Sequence, residues 1–263
     1  MRTIFIFILS ACLLACAQKA AHIRVDNSLV TSKEWPSFGR DYSNQRMSPL
    51  KQITPENVNK LELAWQYKSG VSASFQATPI VVNGVMYVAL PYNHVVALDA
   101  KTGQLKWRYT HERRQDWKMC CGPANRGVAV SDGKVFIGTV DARLIALNAQ
   151  NGEIVWDIDV AENVSKTEQS GDLSQSDQKS KKAVYGGTGV GIAMAPVVYR
   201  GKVMIGITGV GYGLHIDTPT KDAPLGAVVG VDGRFGRPGF LAAFDVHNGK
   251  LVWQFDTIPA SGW

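Results

Sequence analysis

Ala97-Leu98-Asp99-Ala100-Lys101-Thr102-Gly103-Gln104-Leu105-Lys106-Trp107 returns as Ala146-Leu147-Asn148-Ala149-Gln150-Asn151-Gly152-Glu153-Ile154-Val155-Trp156. A third copy is Ala243-Phe244-Asp245-Val246-His247-Asn248-Gly249-Lys250-Leu251-Val252-Trp253. In each, a short apolar run passes through a turn built on Asp or Asn and Gly into a second run that ends in Trp. Ahead of each copy stands another pair of β-branched runs. Thr78-Pro79-Ile80-Val81-Val82-Asn83-Gly84-Val85-Met86-Tyr87-Val88 matches the runs Val128 to Gly138 and Ala195 to Gly206. Asn-Gly and Asp-Gly between such runs signal two-residue hairpin turns, because type I′ geometry needs positive φ at both central positions. Two hairpins make four antiparallel strands. A single such unit cannot bury its apolar faces, so repetition at this period predicts blades stacked as a β-propeller.

The fold expected is therefore all-β, with three recognisable blades. Trp156 to Trp253 is about twice as far as Trp107 to Trp156, so the third blade carries insertions. Trp65, within Leu63-Ala64-Trp65-Gln66-Tyr67, reads as the last strand of an earlier unit. Each of these Trp rings is expected to pack between neighbouring blades. Positions 162–182 hold Ser, Gln, Asp and Lys with few large apolar side chains and are read as a loop between blades. Positions 214–237, richer in Gly and Pro, are read as an insertion covering one face of the disc. Gly186-Gly187-Thr188-Gly189-Val190-Gly191 lacks the strand–turn–helix context of a dinucleotide site and reads as a flexible strand approach.

Positions 1–16 carry Arg2, an apolar run from Ile4 to Leu14, then Ala15-Cys16, the pattern of an export signal. Leu13-Leu14-Ala15-Cys16 matches a lipobox, which predicts lipidation at Cys16 and a membrane-anchored periplasmic protein; an ordinary signal peptide with an incidental Cys is the alternative. Positions 17–34 are read as a linker and 35–263 as the propeller. Propellers need at least four blades to close, so the repeats predict part of a larger or truncated protein. The net charge of +6 comes partly from Lys179, Lys181 and Lys182 and from Arg108, Arg113 and Arg114. No basic stripe with interleaved aromatics accompanies it, which argues against nucleic acid.

Cys120-Cys121 is the sharpest local anomaly. Adjacent Cα atoms lie about 3.8 Å apart, closer than most bridged cysteines, so a bridge between them would be strained. An oxidising periplasm favours a disulfide; a pair of buried thiols is the other reading. Arg126, in Pro123-Ala124-Asn125-Arg126-Gly127, stands close enough in sequence to aim a cation at the same ligand.

Trp35-Pro36-Ser37-Phe38-Gly39-Arg40-Asp41-Tyr42-Ser43-Asn44-Gln45-Arg46, the Cys120–Gly127 element and the Trp-ending phrases together resemble the pyrroloquinoline quinone (PQQ) dependent alcohol dehydrogenases. The resemblance covers nearly all of 35–263 and corresponds to about the first half of a family member. It implies an eight-bladed propeller with PQQ at its axis and a calcium ion beside the quinone. It also implies a disulfide Cys120–Cys121 beneath the cofactor, Arg126 against its acidic groups, and cofactor contacts from Thr208 and Gly209. Gln76 stands where a cofactor-contacting Glu is expected, Ala193 where a Thr is, and Gly211 where a calcium-ligating Glu is. The catalytic Asp, an Asn metal ligand and a stacking Trp belong to family positions beyond 263. Calcium takes six to eight oxygens, carboxylates among them, and Gly211 supplies no side-chain oxygen; Asp217 or Asp222 is the alternative carboxylate, although solvated loop acids are the simpler reading.

The implied activity is oxidation of an alcohol or a sugar-like polyol, with electrons passing to a cytochrome or membrane quinone. No Cys-x-x-Cys-His haem-attachment motif is present in the sequence, so the cytochrome would be a separate partner. The alternative is a non-catalytic lipoprotein propeller serving as an envelope scaffold, which the lipobox and the replacements at Gln76, Ala193 and Gly211 favour and the cysteine pair disfavours.

Overall fold

The two-residue turns adopt the conformation that their chemistry requires. Asn83 and Gly84 have φ of 51° and 72°, and Asp132 and Gly133 have 49° and 68°. Arg200 and Gly201, at 47° and 71°, follow the same path although Arg has none of the Asn or Asp preference for this region. The structure is a computed structural model and describes residues 34–112, 123–160, 191–207, 215–216, 227–228 and 239–257. The positions Cys16, Cys120, Cys121, Thr208, Gly209, Gly211, Asp217 and Asp222 lie outside these, as do the export signal, nearly all of the 17–34 linker and the 162–182 stretch.

Three four-stranded antiparallel sheets follow in chain order. The first comprises β1 (Ile80–Val82), β2 (Val85–Ala89), β3 (Val95–Asp99) and β4 (Leu105–Tyr109). The second comprises β5 (Ala129–Ser131), β6 (Lys134–Gly138), β7 (Arg143–Asn148) and β8 (Ile154–Asp159). The third runs β9 (Val197–Tyr199), β10 (Lys202–Ile207), β13 (Phe240–Asp245), β14 (Leu251–Asp256). Between β10 and β13 sits the expected insertion, from which β11 (His215–Ile216) and β12 (Ala227–Val228) form a two-stranded ladder.

The repeated phrase is the third and fourth strands of each sheet. Its turn is held by its first side chain: Asp99 Oδ1 accepts the Lys101 and Thr102 N–H groups at 3.1 and 2.9 Å. Asn148 does the same for Gln150, and Asp245 for His247. In all three sheets the ladder shifts register at the same place, between Ala97 and Leu98, Ala146 and Leu147, and Ala243 and Phe244.

Sheets pack face to face through these phrases. Trp107 donates its indole N–H to Ala149 O at 2.9 Å in the second sheet, and Trp156 donates to Val246 O at 3.1 Å in the third. Each ring lies over a turn glycine of the next sheet, Trp107 on Gly152 and Trp156 on Gly249. Ile80, Tyr87 and Ala97 meet Val135, Ile137 and Ile145 in one buried layer. Phe136, Leu144 and Ala146 meet Val203, Phe240 and Phe244 in the next. Each large side chain so buried contributes about 1.5–3 kcal/mol.

Trp65 corrects one expectation. Its ring packs on Gly103 of the first sheet as the other rings do, but Leu63–Tyr67 forms no strand. Among the described residues no strand precedes it with which it could pair.

Chain direction then sorts the connections. Within each sheet the two-residue turn and the phrase turn lie at one end of the strands. The β2–β3 and β6–β7 turns, the β10–β13 insertion and the links between sheets lie at the other. The connections that differ from sheet to sheet thus leave the strands at that second end. Of the first strands, β5 neighbours both β1 and β9.

Candidate functional site

Asn125-Arg126-Gly127 approaches β5 at this second end, between the first and third sheets. Arg126 O accepts the Thr78 N–H at 3.4 Å on the first-sheet side. Its guanidinium Nη1 donates to Ala193 O at 3.1 Å on the third-sheet side. Gly127 makes the passage narrow: a Cβ there would stand 3.4 Å from Thr78 O and 3.5 Å from Ala195 Cβ, at a φ of 136° that L side chains rarely adopt. Arg126 is exposed, whereas its neighbours Asn125 and Gly127 are buried. A cation is thus presented to solvent on a rigid base at the end of the sheets from which the variable connections leave.

The base is a buried amide network. Asn125, 1% exposed, donates from Nδ2 to Gly138 O at 2.8 Å and to Asn93 Oδ1 at 3.1 Å. Its Oδ1 accepts the Gly127 N–H at 2.9 Å. Asn93 belongs to the β2–β3 turn, where Tyr92 and Asn93 both have positive φ, 65° and 63°. Tyr92 N–H in turn donates to Pro123 O at 2.9 Å. Asn93 Nδ2 is buried without a partner among the described residues.

A second polar cluster is built on the end of β4 and the β6–β7 turn. His111 Nε2 meets the Asp141 carboxylate at 3.0 and 3.1 Å, and both residues are buried. Tyr109 OH stands 3.2 Å from His111 Nδ1. The His111 N–H donates to His94 Nδ1 at 3.0 Å, which puts the proton of neutral His94 on Nε2. Burial pushes the Asp141 carboxyl upward, but the His111 hydrogen bond and charge, with Thr139, outweigh it and hold it below the ordinary value. Burial, with nearby Asp157 and Asp141, pushes the Tyr109 hydroxyl up to about 12, so it stays protonated at neutral pH. Burial, then the nearby Arg108 and His111 side chains, hold His94 below its ordinary value of 6.5.

Of the residues singled out from the sequence, the structure brings Arg126 beside Ala193 and beside the Gln76-Ala77-Thr78 approach to β1. Gln76 is exposed, and Ala193 contributes its backbone carbonyl to Arg126. Asn93, His111 and Asp141 were missed by sequence reasoning. Pro91-Tyr92-Asn93-His94 offers only a turn composition; the signal was its position, opposite Val140-Asp141-Ala142-Arg143 in the second repeat, where a polar residue is not needed for the turn. An exposed guanidinium on a fixed base can hold an anionic group of a ligand. Among the described residues no group of three or more His, Cys, Asp and Glu could hold a metal ion.

The family model for the β-propeller domain of glucose, ethanol and alcohol dehydrogenases, named PQQ, matches residues 35–263. The chain is 37% identical over 227 residues to the quinohemoprotein alcohol dehydrogenase ADH-IIG of Pseudomonas putida, covering 86% of this chain and 25% of that protein. It is 40% identical over 190 residues to a 1-butanol dehydrogenase (cytochrome c) of Thauera butanivorans, covering 72% of this chain and 24% of that protein. The solved quinohemoprotein alcohol dehydrogenase of Comamonas testosteroni superposes with a TM-score of 0.63 at 33% identity, over 87% of this chain and 28% of that one. The chain spans about a quarter of the length of the curated relatives it matches. With the family match running from Trp35 to the last residue, the chain belongs to the PQQ-dependent alcohol dehydrogenase β-propeller family.

Proposed function

We propose that this chain contributes the cofactor-bearing face of a PQQ-dependent dehydrogenase that oxidises an alcohol, polyols and sugars included, and passes the electrons to a cytochrome or membrane quinone. The observation that carries the reading is Arg126, an exposed cation on a buried amide base, a few residues from Cys120-Cys121. The relatives' names support the alcohol, the quinone and the cytochrome. The export pattern ending at Cys16 supports a lipid-anchored periplasmic location.

The described residues fit the cofactor. PQQ is acidic, and Arg126 offers the remaining N–H groups of its guanidinium fork to a carboxylate. Gln76, at the same step before β1 that Asn125 occupies before β5, adds an amide. Cys120 and Cys121, joined as a vicinal disulfide, would give the ring a flat polarizable floor, and Thr208 and Gly209 would add small contacts. When bound, PQQ supplies a two-electron quinone acceptor. The chain's own part is to orient that ring and neutralise its carboxylates. Calcium, the other group that the family implies, finds no cluster of three or more His, Cys, Asp or Glu side chains among the described residues; Gly211 offers only a backbone carbonyl, so carboxylate ligands for it would come from outside the described residues.

The test is a spectroscopic titration of the full chain with PQQ, before and after thiol reduction. Binding that weakens on reduction is expected. A folded chain that leaves PQQ free in solution would sink the reading.

A further inference from the structure

We infer that Asn125 and Asn93 are positioning residues for Arg126: together they set the height and direction of the guanidinium toward an anionic ligand. The inference rests on the reading of Arg126 as a cofactor contact. Asn125 uses both of its side-chain polar atoms, on three separate pieces of chain. It binds the Asn93 side chain in the first sheet, Gly138 O in the second, and the Gly127 N–H immediately beyond Arg126. Arg126 is therefore the one exposed residue between two fixed ones. Its own carbonyl is tied to Thr78, so the backbone on both sides of its Cα is held, and only the side chain remains to be aimed.

Asn93 completes the frame from the turn. Its φ of 63° is tolerated by Asn and Gly better than by other residues, and its side chain is fully buried. Its Oδ1 is used while its Nδ2 has no acceptor among the described residues. Gly, which tolerates this φ without a side chain, would hold such a turn equally well. The amide at this position is explained by the link it makes to Asn125. In the second repeat the corresponding positive-φ residue is Ala142, which makes no such link.

The experiment is a double-mutant cycle on PQQ affinity with the full chain, comparing wild type, Asn125→Ala, Arg126→Met and the double variant. Loss of these bonds is expected to weaken PQQ about tenfold in Asn125→Ala. The double variant should bind no more weakly than Arg126→Met alone, because Asn125 acts through Arg126. Asn93→Gly, which preserves the turn and removes only the partner of Asn125, should weaken PQQ by about threefold and covers the case in which Asn125→Ala does not fold. Additive losses in the cycle, or wild-type affinity in Asn93→Gly, would overturn the positioning role while leaving Arg126 as a contact. A folded wild type that binds no PQQ would instead remove the cofactor reading, and this inference with it.

Discussion

At the residue scale, the polar groups at the link end of the sheets do work that the repeat does not ask of them. His94 is the clearest case, because its Nδ1 accepts the His111 amide, and burial, then the nearby Arg108 and His111 side chains, disfavour its charged form. The fold therefore prefers neutral His94, and its pKa lies below the ordinary 6.5. An unfolded His94 takes up its proton first as pH falls, so stability is full above about 6.5 and is lost as pH drops toward the folded value. Thermal midpoints of the wild type should fall between about pH 7 and pH 5. In His94→Gln, which keeps an acceptor without the titration, that slope should flatten. An unchanged slope would mean that other groups set the pH dependence. Asp141 follows the usual carboxylate rule: with its pKa lowered, its contribution is present above its ordinary 3.8 and is lost as pH falls below that.

At the scale of the element, the recurring unit is a Trp laid on the turn glycine of the next sheet. Gly152 has a φ of 78°, and a Cβ there would stand 2.6 Å from the Trp107 ring. The ring has little room to retreat, because its N–H is bonded to Ala149 O in the same turn. Gly84, at a φ of 72°, has nothing within 4 Å of the added atom. Gly84→Ala should cost about 1–2 kcal/mol from backbone conformation alone, and Gly152→Ala about 2–4 kcal/mol once the steric contact is added. Denaturant unfolding of both variants separates the two contributions; equal losses would mean that the ring yields freely. The hairpin turns and the phrases were legible because three copies agree, so each residue could be read against two others. Asn93 and His111 were not legible. An Asn in a turn is explained by the turn, and a His after a strand by nothing in particular, until a partner distant in sequence is seen. The amide network depends on Asn125 meeting Asn93 and Gly138 from separate sheets, and no spacing in the chain announces that meeting. Cys120-Cys121 shows the reverse: the sequence marks it plainly, and it lies outside the described residues.

At the scale of the molecule, the leading segment binds together strands that the repeats alone leave as neighbours. Trp35 and Val81 exchange N–H to O bonds of 3.1 and 2.9 Å, adding a bridge to β1 in the first sheet. Tyr42 donates its hydroxyl to Val198 O at 2.7 Å, on β9 of the third sheet, and its ring meets Tyr199 edge-on with centroids 5.4 Å apart. Eight residues thus span from the first strand of one sheet to the first strand of another. The segment has no periodicity, so its sequence carried a family resemblance but no mechanical role. The geometry assigns one: it links the first strand of the first sheet to the first strand of the third. Removing only the hydroxyl in Tyr42→Phe should cost about 1 kcal/mol. Tyr42→Ala should lose the aromatic contact as well and cost about 2–3 kcal/mol in total. If the segment is a tie between sheets, hydrogen exchange in Tyr42→Ala will accelerate in β9 while β6 and β7, far from the contact, keep their protection. A loss spread evenly over all three sheets would show instead that the sheets open as one unit, with the leading segment adding stability but no local connection.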